Sequence, residues 1–166
     1  MPKGDDAPIF LICVTLGYDD LEDRIYIDGR TSEESRIRLW ITQRLIRRLA
    51  AYLIEAGHKT SADDKPIKNE SFLGGESSKL EMPVTYMHGD PNFLVQSIDI
   101  TRRQSDVLLL LKGESAVQSA LFSLPKVATR KWLDGLSRCF KIAAWPPIMD
   151  FSSAQPDNQE SFATIH

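Results

Sequence analysis

Residues 31–57 read TSEESRIRLWITQRLIRRLAAYLIEAG, and the fold turns on how this stretch is divided. Thr31 and Glu34 have the spacing of a capping box, in which a hydroxyl and a carboxylate each satisfy a free backbone N–H at a helix start. That spacing predicts one helix from Thr31 to about Ala56, with Gly57 placed to take the left-handed conformation that ends helices. On its wheel, Leu39, Ile46, Leu49, Ala50 and Leu53 fall on one side, and Ile37, Ile41, Leu45 and Tyr52 make a second apolar flank. The polar remainder is narrow and holds Arg44, Arg47, Arg48 and Glu55, beside Trp40.

A helix apolar around most of its circumference has to be covered on two sides. A sheet covers one. The other is covered either by the second helix or the long loop of the same chain, or by another protein chain, first of all a second copy. Four large side chains at about 1.5–3 kcal/mol each would contribute roughly 6–12 kcal/mol gross, ample for a dimer after the cost of association. The residues expected to meet a partner are Ile37, Trp40, Ile41, Arg44, Leu45, Arg47, Arg48 and Tyr52.

On the N-terminal side, residues 9–16 form a short apolar run rich in β-branched and aromatic residues, which predicts a strand buried on both faces. Asp5 and Asp6 precede this run where a signal peptide carries positive charge, so a core strand is the better reading. Residues 19–23 make an acidic turn. Residues 24–28 alternate, with Ile25 and Ile27 on one face and Tyr26 on the other, as a second strand paired with the first in a hairpin.

On the C-terminal side, residues 58–92 hold Pro66, Gly74, Gly75, Pro83, Gly89 and Pro91 with little periodicity. So long a connection in a compact domain is a lid, a binding loop or a disordered insert. A short strand at 82–87 is the one element expected within it. Strands follow at 93–101, 107–111 and 120–124, as an antiparallel meander. A second helix runs from Pro125 to about Ala144, with Ser123 near its cap. Its stripe of Thr129, Trp132, Leu133, Leu136, Cys139, Phe140 and Ala143 has the 3–4 spacing of one buried face. Gly135 within it suggests close packing on the sheet. Trp145, Pro146 and Pro147 end it.

The expected architecture is α+β, a mostly antiparallel sheet of about five strands with two main helices in the order ββα, long loop, βββα. Residues 1–147 form the single domain, and 148–166 a flexible acidic tail. Two halves of strands followed by a helix raise the idea of an internal duplication, for which the sequence identity is too thin.

Composition excludes more than it assigns. The chain has 166 residues, the size of one domain, and a net charge of −3, too small for a dedicated polyanion partner. Its 2 cysteines, Cys13 and Cys139, lie far apart in apolar stretches and read as buried thiols of a reducing compartment, so the expected location is cytoplasmic. No apolar run approaches the roughly 20 residues a membrane helix needs. Catalytic signals are poor. His88 and Asp90 supply two candidate metal ligands where three or four are required. Gly74 to Ser78 is glycine-rich but lacks the spacing and terminal Lys of a phosphate loop. No metal or cofactor is expected.

The leading expectation is a non-catalytic protein–protein interaction module: an adaptor, an assembly factor or a subunit of a larger complex. The alternative is a nucleic-acid-binding or regulatory protein that stacks with Trp40 and contacts phosphate with Arg44, Arg47 and Arg48. A further alternative is a small enzyme with its site under the 58–92 loop, near His88 and Asp90.

Overall fold

The computed structural model of the chain describes residues 7–60, 82–148 and 162–166. The class is α+β, as expected, but the described residues hold nine strands in two sheets rather than about five in one. The difference begins in residues 31–57. Thr31 and Glu34 do not cap a helix: the Thr31 N–H donates to the Ser35 carbonyl, Glu34 takes φ 65°, and its carboxylate pairs with Arg30 at 2.5 Å. These residues make a tight turn into a strand, Arg36–Ile41, whose strict alternation buries Ile37, Leu39 and Ile41 and leaves Arg36, Arg38 and Trp40 on the opposite face. The helix begins at the next signal. Thr42 caps it, its Oγ1 accepting from the Leu45 N–H at 3.4 Å, and it runs Gln43–Thr60, past Gly57.

The first sheet is β2 (Cys13–Asp19), β3 (Arg24–Arg30), β4 (Arg36–Ile41) and β5 (Asn92–Leu94), in that spatial order. The second is β1 (Ile9–Phe10), β8 (Ser119–Pro125), β7 (Asp106–Lys112), β6 (Ser97–Arg102) and β9 (Phe162–Ile165). The expected β2–β3 hairpin is present, as is the β6–β7–β8 meander. β9 was not foreseen: the sequence reading placed residues 162–165 in the tail. Ile148, assigned there too, is buried in the core, and residues 149–161 lie outside the described residues. So do residues 61–81 of the long connection. Residues 82–87 carry no strand.

The idea of an internal duplication gains a structural basis. Each half is a three-stranded antiparallel meander followed by a helix: β2–β3–β4 with α1 (Gln43–Thr60), and β6–β7–β8 with α2 (Lys126–Ile142). Each half is also preceded by a short strand that joins the other half's sheet in parallel, β1 beside β8 and β5 beside β4. Two residues turn each corner, and their hydrogen bonds match. Leu11 N–H donates to the Leu121 carbonyl and Val95 N–H to that of Trp40, each at 2.8 Å. Ile12 N–H donates to Arg30 and Gln96 N–H to Lys112, the carbonyls opposite the first residues of β2 and β6. Strands that pass from one sheet to another through such bends close the corners of a packed pair of sheets. Leu11 and Val95 are buried there, and Leu11 fills the space over Gly29 that any Cβ would occupy.

The core lies between the inward faces of the two sheets and the helices. One inward row runs Leu16, Ile27, Leu39, Phe93 across the first sheet, and another runs Ile9, Ala120, Leu111, Ile98, Ile165 across the second. α1 contributes Leu45, Ile46, Leu49, Ala50 and Leu53, and α2 contributes Trp132, Leu136, Cys139 and Phe140. The acidic turn between β2 and β3 is held locally. Asp19 accepts from the N–H groups of Leu21 and Glu22, and Asp23 accepts from Tyr18 Oη at 2.7 Å. That bond, with burial and the neighbouring carboxylates, pushes the Tyr18 hydroxyl up to about 12. On the second sheet, burial works against the charge of Asp99, but hydrogen bonds from Lys112 and Thr164 outweigh it and hold the carboxyl below its ordinary value.

Gly135 is less constrained than its place in the stripe suggested. A Cβ there would meet Leu16 Cδ1 at 3.5 Å, ordinary van der Waals contact. Replacing a mid-helix glycine by alanine gains about 0.8–1 kcal/mol where space permits. Gly135→Ala is therefore expected to raise the urea midpoint by an amount corresponding to about 1 kcal/mol. A lowered midpoint would mean that α2 sits closer to β2 than this geometry allows.

Candidate functional site

The residues expected to form one surface are divided by the fold. Ile37, Ile41 and Leu45 are buried in the chain's own core. The second apolar flank that called for a partner came from winding residues 37–41 into a helix; in the strand Ile37 and Ile41 face inward, while Arg38 and Trp40 face outward. Tyr52 is half-buried, with the Arg102 guanidinium 5.3 Å from its ring centroid. Arg47 reaches the loop after α2, donating to the carbonyls of Pro146 at 2.5 Å and Pro147 at 3.4 Å, and lies 4.9 Å from the Phe140 ring. Arg48 donates to the His166 carbonyl at 2.5 Å, and Arg44 is exposed.

Trp40 stands apart from all of these, on the outward face of β4. The helix arginines and Trp40 therefore do not make the single stacking and phosphate-binding face that the nucleic-acid alternative requires. His88 and Asp90 lie in the turn before β5. His88 is exposed, and Asp90 Oδ2 accepts from the Met87 N–H at 2.8 Å. No three His, Cys, Asp or Glu among the described residues are placed to share a metal ion.

What Trp40 does join is a group that only the sheet could assemble. The outward rows of the first sheet run Thr15, Asp28, Arg38, Asn92 and, beside them, Gly17, Tyr26, Trp40, Leu94. The Tyr26 ring lies down over Gly17, whose missing Cβ makes room for it. It meets Trp40 edge-on at 5.9 Å between centroids. Arg38 forms a two-pronged ion pair with Asp28, Nε to Oδ1 at 2.6 Å and Nη2 to Oδ2 at 2.7 Å. Its guanidinium sits 3.8 Å from the Tyr26 centroid, 4.4 Å from Tyr86 and 5.2 Å from Trp40. The pair is largely out of water, with side-chain exposure of 13% for Arg38 and 4% for Asp28.

Residues 82–91 cross this face and are pinned to it. Val84 N–H donates to Thr15 Oγ1 at 2.9 Å, Tyr86 N–H donates to Asp28 Oδ2 at 3.2 Å, and Asn92 Nδ2 donates to Tyr86 Oη at 3.3 Å. Val84 is buried as a result. Asp28 thus accepts three hydrogen bonds, and the hydrogen bond and charge of Asp28 raise the Arg38 pKa against the cost of burial. Burial raises that of Tyr26, and the charge of Arg38 only partly offsets it.

Around this fixed centre lie exposed apolar side chains: Leu94 at 36%, Met87 at 58% and Met82 at 85%. Among the described residues of this face, the ionised side chains of Asp28 and Arg38 satisfy one another. Sequence reasoning reached Trp40 but missed Tyr26 and Tyr86. The alternation of residues 24–28 already set Tyr26 opposite the two buried isoleucines; nothing local marks Tyr86.

Compared with known proteins, the chain matches no family model, and neither a curated protein nor a solved structure matches it. No described helix is long and apolar enough to cross a membrane.

Proposed function

We propose that the chain is a non-catalytic protein–protein interaction module, an adaptor, assembly factor or subunit of a larger complex, that meets its partner with the outward face of the first sheet around Trp40. The observation that carries this reading is the cluster Tyr26, Arg38, Trp40 and Tyr86, held in fixed geometry with exposed Leu94 and Met87 beside it. Trp, Tyr and Arg are the residue types that dominate binding energy at protein interfaces. Side chains already ordered in the free protein avoid much of the entropy cost of association. Cys13 and Cys139, neither of them in a disulfide, fit a reducing compartment, and the cytoplasm is the location we assign.

Site-directed photo-crosslinking in the cells that make the protein tests this. A photoreactive residue at Leu94 is expected to give a protein adduct that Trp40→Ala abolishes, while the same group at Val127, 93% exposed on α2, gives none. Equal labelling at both positions, no adduct at either, or an adduct removed by nuclease would overturn the reading.

A further inference from the structure

We draw no further inference here: the strongest candidate, the apolar outward face of the second sheet, where exposed Phe10 adjoins half-buried Leu121, Leu110 and Leu108 across β1, β8 and β7, carries nothing because nothing in the structure shows what covers it.

Discussion

Asp28→Ala is expected to cost about 3–5 kcal/mol of folding stability, the usual range for stranding one member of a buried ion pair. The carboxylate is the one group satisfying the Arg38 Nε and Nη2 on the sheet's outward face, and it also accepts the Tyr86 N–H. Alanine leaves a guanidinium with 13% side-chain exposure facing rings, and an amide without its acceptor. Arg38→Met alone is expected to be severe as well, because it strands Asp28. The double substitution Asp28→Ala with Arg38→Met should lose far less than the sum of the two, since an apolar replacement of a whole buried pair is often close to neutral. Urea unfolding of the four proteins measures this. An Asp28→Ala protein within about 0.5 kcal/mol of the parent, the usual range for a substitution away from any critical feature, would show that water already screens the pair. Because Asp28 also holds the Tyr86 N–H, the Tyr86 amide should exchange faster in Asp28→Ala, and the adduct expected at Leu94 should weaken with it.

That face shows how far the chain could be read in one dimension. Strands at 24–28, 107–111 and 120–124, the acidic turn, the helix ending before Trp145 and the α+β class all follow from local patterns, and the structure has them with shifted ends, whereas the single strand expected at 93–101 is broken at Val95 and Gln96 into β5 and β6 of different sheets. Three other features escaped, each for a physical reason. The run 9–16 is continuous in sequence, but Leu11 and Ile12 turn it from one sheet to the other, and that bend is set by the carbonyls of Leu121 and Arg30, more than 100 and about 20 residues away. β9 has four residues and its partner is β6, so nothing in its own stretch announces it. Residues 31–41 were misread because Ile37, Ile41 and Leu45 stand four apart, a helical period continuing smoothly into the true helix. The alternation from Arg36 to Ile41 and the cap at Thr42 carried the correct division, and the Thr31 to Glu34 spacing masked them. The candidate site inherits this error: five of its expected residues belong to the helix and two to the strand's buried side, leaving Trp40 alone on the exposed face.

The strand assignment makes its own demand on an alanine scan of residues 36–41. Ile37, Leu39 and Ile41 are buried and form the inward side of β4, with Leu39 between Ile27 and Phe93. Each replacement by alanine is expected to cost about 2–5 kcal/mol, the lost transfer energy plus the cavity left between packed strands. Arg36 faces outward and is half-exposed, so Arg36→Ala should cost less than 1 kcal/mol, as surface changes usually do. Trp40→Ala loses ring contact with Tyr26 and Arg38 but opens no cavity in the core, and a loss of about 1–2 kcal/mol is expected, in line with one aromatic pair and one cation–π contact. The expected pattern is therefore high and low at alternate residues, apart from Arg38, whose loss is severe through Asp28 rather than through packing. A helix spanning the same residues would instead group its large effects three and four apart, with Ile37 and Ile41 sensitive and Leu39 on a different flank. Leu39 is the sharpest test of the strand itself. As the centre of an inward row it should be the most sensitive of the three, and a mild Leu39→Ala would remove the strand, the outward placement of Trp40 and the proposed interaction face together.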